Sequence, residues 1–153
     1  MSTRANIAKV NPDGSIDCIY SHWDGYPTWV GKTLEEHYTN QEKIDALIAL
    51  GSISSLAEEV APPEGAKHTF DEPLPNVTVA YHRDRGEESE IRHFDNQEEF
   101  ENYYKTEAGF IEYVYLWNGK EWKVSNLHHF KAPPLVWQSV SDACAEYVKE
   151  YEI

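Results

Sequence analysis

The sequence has few basic residues and few cysteines, and it lacks any long hydrophobic run. Its 13 lysines and arginines stand against 27 acidic residues, which gives a formal net charge of −14. Affinity for a nucleic-acid backbone depends on a basic surface, so this balance argues against direct nucleic-acid binding and equally against docking on an anionic membrane. A chain this acidic is instead attracted to a protein partner with a basic surface.

No stretch of the sequence approaches the span of a bilayer, and the N-terminus carries no apolar run of signal-peptide length. We therefore expect a cytoplasmic protein with no membrane association. The two cysteines, Cys18 and Cys144, lie on a predicted strand and on the apolar stripe of a predicted helix, where free cysteine behaves as a small buried hydrophobe. Reduced core thiols are favoured over a disulfide.

What the sequence does contain is typical of a globular domain. Of its 153 residues, 41% are hydrophobic and 13% aromatic, a composition that excludes a disordered chain despite the high charge. A chain of this length buries enough surface to fold without a metal or a disulfide. We predict one domain over residues 1–153, with a long loop at about 57–76 that is either mobile or functional.

Local patterns predict most of the secondary structure. The turn Asn11-Pro12-Asp13-Gly14 between alternating apolar residues predicts a β-hairpin over 5–21. Asn118-Gly119 predicts a second hairpin over 110–125, in which a two-residue turn sets Trp117 opposite Lys120. Alternation at 77–81 predicts a further strand. Apolar periodicity and capping boxes predict helices at about 28–38, 40–51 and 95–109, and from Pro133-Pro134 onward.

This order of elements predicts the fold class. Hairpins outnumber crossover connections, which favours an α+β domain in which helices pack on one face of an antiparallel sheet. The last helix would present one apolar stripe, made of Trp137, Val140, Cys144, Tyr147, Val148 and Tyr151.

The densest group of chemically versatile side chains lies where the first hairpin ends. His22, Trp23, Asp24 and Tyr26 stand around Gly25 and before Pro27. One interpretation is an ordered corner, in which Asp24-Gly25 makes a turn and the aromatic rings are buried. The other is a binding surface, because tryptophan and tyrosine on loops often anchor interfaces. The sequence alone favours neither.

A second cluster follows the strand predicted at 77–81. Arg83, Asp84, Arg85 and Glu87 lie close together, and Arg92 follows. These residues could neutralise each other as an ion network, the interpretation that the sequence favours. Alternatively, the arginines could hold a phosphate while Trp23 or Tyr26 stacks on a base.

Other candidate motifs do not withstand inspection. Gly31-Lys32-Thr33 resembles the end of a phosphate-binding P-loop, but the preceding glycine, Gly25, is one residue too far away. Histidines at 22, 82, 128 and 129 lack the paired spacing of a metal site. With no nucleophile or metalloprotease signature, we expect no catalytic residue, no metal, no cofactor and no enzymatic activity.

Three segments resemble a family of small bacteriophage and prophage proteins. They read HWDGYP from His22, LIALGSISSL from Leu47 and YHRDRGE from Tyr81, and the likeness covers roughly residues 5–90. The resemblance implies the cytoplasm of an infected bacterium as the setting, and no particular fold or activity. It also implies a role in disabling host machinery, such as CRISPR complexes, restriction enzymes or nucleotide-signalled immunity.

Two functional hypotheses follow. In the first, carboxylates replace phosphates and the protein occupies a basic groove of a host defence protein; these acids are Glu35, Glu36, Glu42, Asp45, Glu58, Glu59, Glu87, Glu88, Glu90, Asp95, Glu98, Glu99 and Glu101. In the second, the protein sequesters an anionic nucleotide signal through Arg83, Arg85, Arg92 and Lys32, with Trp23 or Tyr26 stacking on the base. The acidic charge favours the first, because a repulsive field opposes an anionic ligand.

Overall fold

The computed structural model describes residues 3–106, 109–127 and 135–151. Within these ranges the chain forms a mixed eight-stranded sheet with five α-helices, which confirms the α+β class. The strands are β1 Arg4–Val10, β2 Ile16–Ser21, β3 Ile53–Ser55, β4 Val79–Ala80, β5 Arg92–Phe94, β6 Ile111–Trp117, β7 Trp122–Asn126 and β8 Gln138–Ser139. The helices are α1 Lys32–His37, α2 Gln41–Ala49, α3 Tyr81–Arg85, α4 Gln97–Thr106 and α5 Val140–Tyr151, and a π-helical turn, Pro27–Gly31, precedes α1.

The elements that depend on local signals form where the sequence predicts them. β1 and β2 make the first hairpin, closed by a hydrogen bond from the Asn11 N–H to the Ser15 carbonyl. The side chain of Asn40 caps α2 by accepting the Lys43 N–H. Asn96 does the same at the start of α4, where it accepts the Glu99 N–H at 2.9 Å.

The sheet is not purely antiparallel, so that part of the prediction is wrong. Its strand order is β4-β3-β2-β1-β6-β7-β8, and β5 pairs with β2. The central pair, β1 and β6, runs parallel, as do β2 and β3. No hairpin links β1 to β6, so turn chemistry does not impose an antiparallel pairing on them.

Helices cover both faces of the sheet rather than one, which is a second correction. One face, the first face hereafter, carries α1, α2 and α5 over a cluster that includes Ile7 and Tyr115. The other, the second face, carries α4, whose Phe100 and Tyr104 join a separate cluster. β6 presents buried side chains to both faces because it lies between two helical layers.

The second hairpin has a longer turn than predicted. Trp117 pairs with Trp122 instead of Lys120, so four residues, 118–121, connect β6 to β7. The Asn118 side chain accepts the N–H groups of both Lys120 and Glu121 at 3.0 Å, which stabilises this wider turn. The pairing register differs from the predicted one by two residues, an even number, so Trp117 and Trp122 still share the first face.

The last helix begins later than its predicted stripe. Pro133-Pro134 and His128-His129 lie outside the described residues. α5 begins at Val140, with the Ser139 hydroxyl accepting the Asp142 N–H. Trp137 precedes the helix and packs on the second face against Phe100, whereas Val140 packs on the first face. Val148 is exposed, so it lies off the buried stripe.

Both cysteines are free, as predicted. Cys18 is buried on the second face and Cys144 lies in α5 on the first. Burial raises the pKa of the Cys18 thiol to about 12, so this side chain acts as a core hydrophobe at neutral pH.

Candidate functional site

The loop after β2 is held as an ordered corner around Gly25. A Cβ at this position would lie 2.7 Å from the Thr3 carbonyl oxygen and 2.8 Å from the Ala5 Cβ, so only glycine fits. The Tyr115 hydroxyl donates to the Gly25 carbonyl at 2.6 Å. Asp24 supports the turn with a left-handed backbone, φ 55°. These contacts fit the structural interpretation of this part of the loop.

Tyr26 and Pro27 attach this corner to α5. The Tyr26 ring stacks on Tyr147 with 5.2 Å between centroids and 9° between planes. The Cys144 thiol donates to the Pro27 carbonyl at 3.2 Å. One face of the half-buried Tyr26 ring is therefore occupied by Tyr147.

His22 and Trp23 turn outward. The Trp23 ring is 43% exposed and meets the His22 ring edge to face at 4.7 Å. His22 Nδ1 is hydrogen-bonded to the Tyr20 hydroxyl at 2.7 Å. Burial lowers the pKa of His22, and the nearby Arg4 charge lowers it further, so the imidazole is neutral at pH 7.

Arg83 and Asp84 face inward and hold the long loop. The Arg83 guanidinium donates to Asp84, to the carbonyl of Val60 within the loop, and to the carbonyl of Thr78 just after it. Asp84 also accepts the Ala80 N–H at 2.8 Å. Burial alone would raise the pKa of Asp84, but the hydrogen bonds from Arg83 and Ala80 outweigh it and hold this pKa below its usual range.

His68 completes this network, and the sequence analysis did not identify it. Its side chain is only 1% exposed, and Nε2 lies 3.2 Å from Asp84 Oδ2 and from the Thr78 carbonyl. Nδ1 accepts the Leu74 N–H, so the proton belongs on Nε2.

The prediction that 77–81 is a strand is correct only for Val79–Ala80, because Tyr81 begins α3.

Arg85, the partner of Glu87, also contacts the long loop. These two residues form an ion pair, and the Arg85 guanidinium lies 3.9 Å from the centroid of the Phe70 ring. Since Arg83 and Arg85 bind residues 60–78, they do not join Trp23 or Tyr26 in a common anion pocket. Arg83 and Arg85 therefore hold the loop at 57–76 against α3. This supports the ion-network interpretation of this cluster.

The predicted acidic surface divides between opposite sides of the sheet. Glu35, Glu36, Glu42 and Asp45 lie on α1 and α2 over the first face, with Glu58 and Glu59 in the adjoining loop. Glu98 and Glu99 lie on α4 over the second face, after Glu87, Glu88 and Glu90 at the β5 edge. These side chains are exposed, but they do not form one continuous face.

Glu101 is an exception among these acids. It is partly buried, and its carboxylate accepts the Leu135 N–H at 2.7 Å and the Trp137 indole N–H at 3.3 Å. This residue therefore fixes the segment before β8 rather than contributing to the acidic surface.

A cavity on the second face brings together basic residues that the sequence analysis left apart. Its volume is about 420 Å³, and Arg4 of β1 and Arg92 of β5 line it together with Tyr20, Glu90, Tyr103 and Phe110. The Arg4 guanidinium lies 5.2 Å from the centroid of the Phe110 ring. The Arg92 guanidinium lies 5.1 Å from that of Tyr103 and pairs with Glu90 at 2.9 Å. No spacing in the sequence indicates that Arg4 and Arg92 line the same cavity.

The segment that resembles a P-loop has a structural role. Gly31 is buried, and a Cβ there would lie 3.2 Å from the Val140 side chain and 3.3 Å from that of Tyr115, so it serves helix packing. Within residues 3–106, 109–127 and 135–151, no three histidine, cysteine or acidic side chains are placed to hold a metal ion. None of the helices in these ranges is long and apolar enough to span a bilayer.

Comparison of the chain with protein-family models, with curated proteins and with solved structures finds no match.

Proposed function

We propose that this protein is a non-enzymatic, acidic binding protein that inhibits a host defence or nucleic-acid-binding machine by occupying its basic surface. The observation that carries the proposal is an acidic edge along β5 and the start of α4. We define the acidic edge by its six exposed carboxylates: Glu87, Glu88, Glu90, Asp95, Glu98 and Glu99.

The acidic edge keeps an excess of negative charge, although Glu87 pairs with Arg85 and Glu90 pairs with Arg92. Between residues 87 and 99, Arg92 is the sole arginine or lysine. The acids over the first face differ, because residues 32–45 carry two lysines, Lys32 and Lys43, beside four acids, and Lys9 pairs with one of these acids, Asp45, at 2.8 Å. A basic partner would therefore be attracted more strongly to the acidic edge than to α1 and α2.

The acidic edge also offers an apolar contact. Ile91 is 45% exposed, between Glu90 and Arg92, and it immediately precedes the edge strand β5. Interfaces gain affinity from a buried apolar centre, whereas charges at the rim give specificity and a fast association rate. Ile91 with the carboxylates around it supplies both parts.

The likeness to bacteriophage proteins provides the setting for this proposal. A bacterial host's defence proteins include DNA-binding and RNA-binding complexes, whose grooves are basic because they accommodate phosphates. Carboxylates that occupy such a groove would exclude the nucleic acid. The absence of enzymatic activity remains a prediction.

The proposal is tested by competition with DNA. Purified protein is titrated into complexes of labelled DNA with a restriction endonuclease or a CRISPR effector, and DNA release is followed by fluorescence anisotropy at low and high salt. We expect release from at least one of these complexes, and we expect added salt to weaken the inhibitor steeply. An inhibitor affinity that does not change with salt would contradict the electrostatic mechanism, and absence of release from every complex would contradict the proposed target class.

Two variants with equal charge changes locate the contact. The edge variant carries Glu88→Gln, Asp95→Asn and Glu98→Gln, and the matched control carries Glu35→Gln, Glu36→Gln and Glu42→Gln on α1 and α2. We expect inhibition to weaken by about tenfold in the edge variant and much less in the control. Equal losses in the two variants would show that only net charge matters and would remove the acidic edge as the contact.

A further inference from the structure

The cavity lined by Arg4 and Arg92 is a basic site within an acidic protein. We propose that it binds a mononucleotide, with the two guanidinium groups holding the phosphate and the base stacking on Phe110. This site differs from the acidic edge in ligand and in chemistry, and it does not depend on the proposed inhibitory function. The two arginines come from different strands, and the fold places both on one cavity.

Arg4 is available to an anion. The ion pairs formed by the described residues do not include Arg4, whose guanidinium instead lies against the Phe110 ring. The Tyr20 hydroxyl in the same cavity is hydrogen-bonded to Arg4 and occupies part of its donor set. An arginine has more in-plane N–H donors than this one contact uses, so others stay available for a bidentate contact with phosphate.

Arg92 is held by a carboxylate that a phosphate could replace. Its pair with Glu90 is half exposed on both sides, a setting in which an ion pair contributes little stability. Phosphate offers more charge and more acceptor oxygens than a carboxylate, so it would compete effectively for the guanidinium. Glu90 thereby acts as an internal competitor of the ligand.

The aromatic lining points to a nucleotide rather than to a bare anion. Phe110 is 78% exposed, which is unusual for a ring of this size and leaves one surface open to a base. Stacking of a base on an aromatic side chain is favourable for any base because each has a π-face. A volume of about 420 Å³ lies within the usual range of small-ligand cavities, roughly 300–1,000 Å³.

The cleft beside Trp29 offers a comparison within the same molecule. It has a volume of about 540 Å³ and also presents an exposed tryptophan, but Asp24, Glu36 and Glu58 line it along with Lys32. Its carboxylates would repel a phosphate. The Arg4–Arg92 cavity is therefore the better of the two for an anionic ligand.

Isothermal titration calorimetry with AMP, GMP and UMP tests the proposal on the full chain, with inorganic phosphate and adenosine as separate probes. We expect at least one mononucleotide to bind more tightly than either phosphate or adenosine alone. Arg4→Met and Arg92→Met should each weaken that binding about tenfold or more. Lys67→Met, which removes a positive charge from an exposed pair with Glu72, should leave it unchanged.

Two further variants test the site through exposed residues whose replacement does not threaten folding. Glu90→Gln should strengthen mononucleotide binding by about threefold because it frees Arg92. Phe110→Ala should weaken mononucleotide binding without altering the response to phosphate. Absence of any mononucleotide binding at millimolar concentration would overturn the proposal. It would also be overturned if Arg4→Met and Glu90→Gln had the wild-type affinity, or if phosphate bound as tightly as AMP.

Discussion

Two regions of the molecule use arginine in opposite ways. Around α3, Arg83 donates to two backbone carbonyls and to the buried Asp84, so its hydrogen-bonding groups are directed into the protein. On the second face, Arg4 and Arg92 line an open cavity, and neither donates to a buried carboxylate. Arg83 stabilises the fold, whereas Arg92 of the same sequence cluster joins the distant Arg4 in the candidate binding site.

The largest expected effect is a difference in the free energy of unfolding between variants of Arg83 and of Arg92. Arg83→Met leaves Asp84 buried without its main partner and should lower the free energy of unfolding by about 3 kcal/mol. Arg92→Met removes an exposed ion pair and a contact with the Tyr103 ring, and it should lower this free energy by less than about 1 kcal/mol. Urea denaturation of the two variants measures the difference. Similar losses would mean that the Asp84 network is no more important to the fold than a surface ion pair.

A smaller effect should appear in the pH dependence of folding stability, through the contacts that Asp84 of α3 makes. Because the pKa of Asp84 is lower in the folded protein than its ordinary value of 3.8, this group stabilises the fold above that pH, and the contribution is lost as the pH falls through the folded pKa. The stability gap between wild type and Asp84→Asn should therefore be widest above pH 5 and should narrow towards pH 2. Chemical denaturation at several pH values measures the gap. A gap that stays constant would mean that the Asp84 charge is not involved.

The sequence predicts what depends on neighbouring residues. The first hairpin and the caps of α2 and α4 follow from turn and capping chemistry within a few positions. It also identifies the ion network at Arg83 and Asp84 as the better interpretation of that cluster. It does not identify His68 as a member, because this residue meets Asp84 only after the long loop has folded back.

Apart from the longer turn of the second hairpin, the missed features of the sheet and of the cavity require contacts between distant segments. Parallel pairing of β1 with β6 and the helix on the second face cannot be obtained from local turns. One indication was present: Tyr113-Val114-Tyr115-Leu116-Trp117 is apolar at every position, which is typical of a strand covered on both sides. For Arg4 and Arg92 no such indication exists, because they line one cavity only through the pairing of β2 with both β1 and β5.

The smallest expected effect concerns the charge of Arg4 itself. Burial lowers the pKa of His22, and the positive charge of Arg4 lowers it further. Removing that charge in Arg4→Met should raise the pKa of His22 slightly, whereas Arg83→Met should leave it unchanged because burial and the Arg4 charge, not Arg83, lower this pKa. An NMR titration of the His22 ring protons measures both. If binding of AMP in the Arg4–Arg92 cavity raised the pKa of His22 in wild type and not in Arg4→Met, the phosphate would be located beside Arg4. If the pKa of His22 were the same in Arg4→Met as in wild type, Arg4 would carry no uncompensated charge. Arg4 would then not differ in this respect from Arg83, which pairs with Asp84.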